Sequence, residues 1–215
     1  MRHDATKSLY AYWRELLRPG PDGTSPVWPD RSAIEPAAMR RWLGDVFILH
    51  EDAGEVRYRL AGTQLSALYG RELAGHAFAA AFEGPDRVTA RSWTGTFGQE
   101  ATPLLFAGWG RSRHGEGVAL ETLLLPLNGG PGSGERRALG ITTPRIVPAW
   151  AGASPIVEQD LLGVRILRPW QPGLARSDWP VLRPAPNDAS TRGDRRLAAT
   201  GRRVGHLTVL EGGLS

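Results

Sequence analysis

The sequence predicts a domain of the α+β class, and three observations support this. Residues 45–78 have the pattern of a strand, a glycine-containing turn, a second strand and a short helix. Three later segments between Pro103 and Thr143 have the length and apolar content of strands. Near the N-terminus, apolar residues recur at helical spacing. Short helices and strands in this irregular order are typical of α+β architecture.

The first 30 residues predict an amphipathic helix followed by a linker. The linker runs from Pro19 to Pro29 and is rich in Pro, Gly and Asp. The helix is short and lacks a high density of flanking Lys and Arg, so dimerisation or capping is favoured over membrane anchoring. A further short helix is expected from Pro36 to Leu43, since proline suits a first turn. The apolar residues of the N-terminal helix are Leu9, Tyr12, Trp13, Leu16 and Leu17.

The segment after the predicted Pro36–Leu43 helix predicts a β-hairpin. Its first strand is the apolar run from Val46 to Leu49, and Gly54 provides the turn. In its second strand, Tyr58 lies in the apolar half of a period-2 alternation, while Arg57 and Arg59 lie in the polar half. Tyr58 is therefore expected to point inward and both arginines outward.

A helix is predicted directly after the hairpin, with Thr63 as its N-cap and Gly70 at its end. Phe78 and Phe82 then lie one helical turn apart. The Gly84-Pro85-Asp86 sequence begins a further helix. Its predicted apolar stripe consists of Ala90, Trp93 and Phe97.

The remaining strands are expected at Pro103–Trp109, Val118–Leu127 and Arg137–Thr143. Gly129–Gly134 is predicted to be a hairpin loop. Because it lies between two strands rather than before a helix, it is weak evidence for phosphate binding.

Beyond residue 148 the sequence predicts a Pro- and Arg-rich C-terminal extension, residues 149–215, that is partly disordered. Val157–Ile166 fits either a strand or a helix, and residues 184–203 lack apolar periodicity. Residues 206–210 form an apolar run that either packs back on the domain or pairs with another copy. From Arg165 to the end there are 9 basic and 4 acidic residues, so the formal net charge of +4 resides in this extension.

Composition excludes several classes of function. The chain has no cysteine, so disulfides, thiolate metal sites and cysteine nucleophiles are excluded. No run approaches the ~20 apolar residues of a membrane span, and a cytoplasmic location is expected. The 5 histidines do not fall at metal-ligand spacing. Catalytic and nucleotide-binding motifs are missing from the sequence, and Glu116 and Glu121 are expected on opposite strand faces, which makes them a poor acid–base pair.

Three stretches of sequence resemble those of a known family. The sequence RYRLAGTQLSALYGRELAG, followed by LETLLLPL and RRALGITTP, resembles a PAS domain, and specifically a group of stand-alone bacterial PAS-like proteins. The resemblance covers Ser8 to Val147. It implies a five-stranded antiparallel sheet with helices over one face, which places a PAS-like domain at residues 31–148. It implies no particular ligand or cofactor.

The resulting expectation is a non-catalytic sensory or regulatory module in bacterial signalling. The candidate ligand-binding residues are Tyr58, Trp93 and Phe97, which would surround an apolar or aromatic small molecule, and His76, which would donate a hydrogen bond to it. The same aromatic residues are also what a core of this size requires. Because no output domain is recognisable, the signal is expected to leave through self-association or a regulatory protein partner.

Two other classes of function stay open on the sequence. A nucleic-acid-associated regulator would use the Arg-rich tail, although a solvated extension is favoured over this. A small-molecule enzyme would need convergent polar groups inside an α+β scaffold.

Overall fold

The computed structural model describes residues 1–21, 26–95, 102–129, 135–151 and 153–168, together with the backbone of residues 202–204 and 207–211. The α-helices are α1 (Asp4–Glu15), α2 (Thr63–Tyr69) and α3 (Gly84–Gly95). Short 3-10 turns lie at Arg31–Ala33, Pro36–Met39 and Phe78–Ala81. The strands are β1 (Arg18–Pro19), β2 (Pro26–Val27), β3 (Val46–Asp52), β4 (Glu55–Ala61), β5 (Leu104–Ser112), β6 (Gly117–Asn128), β7 (Arg136–Pro144), β8 (Ile156–Ile166), β9 (Arg202–Val204) and β10 (Leu207–Glu211).

One large sheet organises the domain, and its strand order is β4-β3-β7-β6-β5-β8-β10-β9. The first six strands in this order pair antiparallel, whereas β10 joins the edge of β8 in parallel. The predicted α+β fold with an antiparallel sheet is confirmed. The difference is that the antiparallel part has a sixth strand, β8, which the sequence left open as a strand or a helix.

The β3–β4 hairpin closes through a two-residue turn at Ala53 and Gly54. Their φ angles are 49° and 77°, as a type I′ turn requires at both central positions. Beyond the turn the pairing runs from Asp52 opposite Glu55 to Leu49 opposite Tyr58, where a bulge shifts the register. The turn thus sets which side chains of β4 face the interior.

The first face of the sheet is covered by α2, α3 and the Phe78–Ala81 turn. Leu65, Leu68 and Tyr69 of α2 are buried against this face. The α3 helix is fixed to β8 because the Asp86 carboxylate accepts a 2.8 Å hydrogen bond from the backbone N–H of Leu161. The predicted helix around Phe78 is a single 3-10 turn that ends at Ala81, because Phe82 is already extended.

The second face is covered by α1 and the segment that follows it. Leu9, Tyr10 and Trp13 of α1 are buried against β6 and β7, together with Ile34 and Met39. The N-terminal helix predicted from apolar spacing is therefore a covering layer of the sheet. The helix expected from Pro36 to Leu43 is shorter than predicted, since its 3-10 turn ends at Met39.

The chain beyond residue 148 contributes β8, which pairs with β5 over nine residue pairs. Residues 207–211 pack back on the same domain through the backbone of β8. The predicted domain boundary at residue 148 stays a prediction, as does disorder of the extension, because residues 169–201 lie outside the described residues. Most of the predicted Gly129–Gly134 loop also lies outside them. In the described part of the chain, every helix is too short or too polar to cross a membrane.

Candidate functional site

An aromatic cluster fills the interior between the sheet and the helices of the first face. Phe47 of β3 lies with its ring centroid 5.2 Å from that of Tyr58, in an edge-to-face arrangement. Phe78 contacts both rings at 6.4 Å and 5.9 Å. Phe78 also lies 5.9 Å from Phe82 and 5.9 Å from Phe106 of β5. These distances are typical of favourable aromatic pairs, so the cluster is a packed unit centred on Phe78.

Two glycines make room for this cluster on the sheet. A Cβ atom on Gly140 of β7 would lie 2.2 Å from the ring of Phe47, so only glycine lets that ring pack this closely against the strand. A Cβ atom on Gly108 of β5 would lie 2.5 Å from the side-chain amide nitrogen of Gln159. The absence of side chains at Gly140 and Gly108 thus lets Phe47 and Gln159 pack closely against the first face of the sheet.

Tyr58 enters the cluster from β4 and points inward, as the alternation predicts, with 4 % of its surface exposed. Its neighbour Arg59 is exposed, and Arg57 is half-buried at the edge, where it donates to Glu55 and to the carbonyl of Gly75. Burial raises the pKa of Tyr58 well above its usual value, and the nearby Tyr69 hydroxyl adds to this. Tyr58 therefore carries a neutral hydroxyl at physiological pH.

A second polar group of this interior was not predicted from the sequence. The Tyr69 hydroxyl donates a 2.7 Å hydrogen bond to the side-chain oxygen of Gln159, which is 3 % exposed. Burial raises the pKa of Tyr69, with a small opposing effect of Arg71. The available signal was a glutamine opposite a glycine of the neighbouring strand. Together with Tyr58, this pair places polar groups within a largely apolar interior.

The other predicted site residues have different positions. The His76 side chain is exposed, and the residue contacts the site only through its backbone. Its carbonyl accepts a 3.0 Å hydrogen bond from the N–H of Tyr58. Trp93 is half-buried and packs from α3 against the hydrophobic core of the first face, to which Tyr58 also belongs. Phe97 lies outside the described residues. The structure therefore brings Tyr58 and Trp93 to the same hydrophobic core and leaves the His76 side chain at the surface.

The two glutamates considered as an acid–base pair have separate partners. Glu116 accepts a hydrogen bond from the Ser112 hydroxyl at 3.0 Å. Glu121 lies on the second face, 7 % exposed, and accepts from the backbone N–H groups of Arg2 and His3 at 2.8 and 3.3 Å. Within the described ranges, His, Asp and Glu do not gather in groups of three that could hold a metal ion.

Polar contacts also join α1 to the sheet, and they matter for how this helix is held. The indole N–H of Trp13 donates to the carbonyl of Pro126 at 2.9 Å. The hydroxyls of Thr6 and Thr143 lie 3.3 Å apart. The Tyr10 hydroxyl is buried without a hydrogen-bond partner among the described residues, and burial raises its pKa to about 12. The interface between α1 and the sheet is thus apolar at its centre, and hydrogen bonds of Trp13 and Thr6 fix the position of the helix.

Comparison with known proteins places this arrangement in a family. A family model described as a PAS domain matches residues 1–143, so α1 belongs to the matched region. Among solved structures, the chain is similar to the PAS domain of an HTR-like protein from Haloarcula marismortui, at 20 % identity and a TM-score of 0.34, covering 51 % of this chain and 91 % of that one. No curated protein matches. The family model spans about two thirds of the sequence, which confirms the resemblance found there, and the chain belongs to the PAS domain family.

Proposed function

We propose that this PAS domain is a non-catalytic regulatory module whose signal leaves through α1 and the sheet face that α1 covers. PAS domains in general are sensory and regulatory modules, and the family assignment supports that coarse statement. The observation that carries the finer proposal is the attachment of α1. Polar contacts of Glu121, Trp13 and Thr6 fix the helix in one position on an apolar sheet face.

The covered face has the composition of a protein-binding surface. Leu123 and Leu125 of β6 and Leu139 and Ile141 of β7 are fully buried on this side. Displacement of α1 would expose them as one apolar patch on adjacent strands. A patch of this kind is energetically unfavourable in water, so a second copy or a regulatory protein would cover it. In this proposal, α1 and the partner compete for the same surface.

The input is proposed to act on the opposite face, where the aromatic cluster lies. An apolar or aromatic small molecule would bind next to Phe78 and Trp93, with the Tyr58 hydroxyl as a hydrogen-bonding group. Strand β3 links the two faces, because Phe47 lies in the aromatic cluster while its neighbours Val46 and Ile48 lie under the α1 layer. A ligand that moves Phe47 would therefore also move residues in contact with the α1 layer.

A reversible disulfide lock tests this proposal. The chain has no cysteine, and the side chains of Thr6 in α1 and Thr143 in β7 meet directly, so Thr6→Cys with Thr143→Cys would cross-link the helix to the sheet. The oxidised double variant is expected to stay monomeric at all concentrations. The reduced form, which lacks the Thr6–Thr143 contact, should self-associate at least as strongly as the wild type, measured by light scattering during gel filtration.

The matched controls are the two single-cysteine variants under the same oxidising conditions. Each carries one of the two threonine losses and breaks the same Thr6–Thr143 contact without adding the cross-link, so each should self-associate at least as strongly as the wild type. If the oxidised double variant self-associates as strongly as the single variants, release of α1 is not needed for assembly and the proposal is wrong.

A further inference from the structure

At the end of the sheet where β7 begins, Arg137 pairs with one exposed carboxylate, and the side chains of His50 and Arg59 lie within electrostatic range of it. Arg137 and His50 are direct partners in the β3–β7 register. Both lie on the second face, because they continue the alternation of the buried residues Ile48 and Leu139. Glu135, at the start of β7, forms an ion pair with the Arg137 guanidinium. This corner lies on the opposite side of the sheet from the aromatic cluster.

The Arg137 guanidinium is only partly satisfied in this arrangement. Its Nη2 atom donates to Glu135, but its buried Nε atom has no hydrogen-bond partner among the described residues. An Arg side chain is always protonated, so a buried Nε–H without an acceptor is unfavourable. The adjacent His50 has a buried Nδ1 atom in the same condition. Two buried nitrogens on residues paired in the β3–β7 register therefore lack hydrogen-bond partners within the part of the chain that the structure describes.

The electrostatics of this corner favour an anion. The hydrogen bond and charge of Arg137 hold the pKa of Glu135 below its usual value, and Arg59 and His50 act in the same direction from further away. Glu135 itself is exposed and is the residue that neutralises the corner. Its carboxylate engages one donor of a guanidinium that is built to bind two oxygens at once.

Solvent reaches the corner at Glu135, whose side chain is 56 % exposed.

We propose that Arg137, Arg59 and His50 form a binding site for a small oxyanion of the phosphate class, and that Glu135 occupies this site when the ligand is absent. A phosphate group has several oxygens, so one can replace the Glu135 carboxylate at Nη2 while another accepts from Nε. Its second negative charge is matched by Arg59. A monoanionic carboxylate would use the same donors with less charge complementarity, so acetate should bind more weakly than phosphate.

The site is independent of the α1 proposal, because it uses the exposed end of the strands and does not require displacement of the helix. Failure of the disulfide lock experiment would leave it untouched. Conversely, absence of phosphate binding would not affect the proposed role of α1.

Titration of the full chain with inorganic phosphate at constant ionic strength tests the proposal. The readout is the arginine Nε–H signals in nitrogen-15 NMR spectra. A saturable shift of the Arg137 signal is expected, with no saturable shift of Arg145, an exposed arginine at the other end of the sheet strand. A parallel titration with acetate should give an affinity at least several-fold weaker.

Two substitutions make the result specific. Glu135→Gln removes the competing carboxylate charge, so phosphate affinity should rise about tenfold. Arg137→Lys keeps the positive charge but loses the guanidinium group that can donate to two oxygens at once, so phosphate affinity should fall about tenfold. Arg145→Lys is the control and should leave affinity unchanged. A shift that never saturates, equal affinity in Glu135→Gln and the wild type, or acetate binding as tight as phosphate would each overturn the assignment.

Discussion

Replacement of Trp13 by alanine should loosen α1 from the sheet while the strands beneath it stay folded. Trp13 is fully buried, and its ring stacks on Trp28 at 5.4 Å and on Tyr10 at 6.2 Å. Substitution of a buried Trp by Ala typically costs about 3–5 kcal/mol. The lost hydrogen bond to Pro126 accounts for about 1 kcal/mol of this. Against a typical domain stability of about 5–15 kcal/mol, the loss is large but survivable.

The assay is urea unfolding followed by far-ultraviolet circular dichroism, combined with light scattering to measure self-association. Trp13→Phe keeps most of the ring packing and should cost about 1–2 kcal/mol. Glu15→Ala, at an exposed position of the same helix, should change stability by less than about 0.5 kcal/mol. Trp13→Ala should self-associate more than either, because the apolar face is uncovered more often. A loss below about 1 kcal/mol, or unchanged self-association, would refute the proposed role of this residue.

Three further predictions concern the interior and its hydroxyls. Gly140→Ala should destabilise the domain by about 1–3 kcal/mol, because the new methyl group collides with the Phe47 ring. The control Gly95→Ala should not destabilise it, because there is open space around Gly95. Thermal melting compares the two variants. Tyr69→Phe should cost about 1–3 kcal/mol in urea unfolding, since it leaves a buried amide oxygen without its donor, and an unchanged midpoint would contradict this. Folding raises the pKa of Tyr10 from about 10 to about 12, so the stability that its neutral hydroxyl contributes is fully present below pH 10 and is lost between pH 10 and 12. The free energy of unfolding of Tyr10→Phe should therefore decline less steeply over this range. An identical decline in the variant and the wild type would count against this.

Local sequence patterns predicted the hairpin, α1 and α2 correctly because their signals are short-range, although the N-cap of α2 is Gly62 and the predicted Thr63 is the first helical residue. Gly54 specifies the turn, the alternation around Tyr58 specifies its inward direction, and Gly70 ends α2 in a left-handed conformation with φ of 62°. Each of these outcomes depends on neighbours within a few residues. The fold class followed from them.

Strand β8 was ambiguous for a physical reason. Its first-face residues are Ile156, Gln159, Leu161 and Val164, so the spacing changes between two and three residues. These changes accompany two register shifts against β5, at which bulges interrupt the period of two. Such spacing lies between that of a strand and that of a helix, and pairing with β5 decides the outcome.

The candidate site was predicted less completely because it depends on long-range contacts. The Tyr69–Gln159 hydrogen bond joins residues 90 positions apart, and the anchoring of α1 by Glu121 spans 119 positions. No local pattern specifies such pairs. His76 was considered for its imidazole, but its chain position places only its backbone against β4. The binding roles of Tyr58, His76, Trp93 and Phe97 stay predictions.

Native-state hydrogen exchange of the wild-type chain measures most directly whether α1 is separable from the sheet. The proposed function predicts that amides of Asp4–Glu15 exchange through an opening whose free energy lies clearly below that of the amides of β6 and β7. The helix would then open on its own while the strands stay paired. If α1 and these strands exchange with the same opening free energy, they unfold as one unit, and a regulatory release of α1 is contradicted.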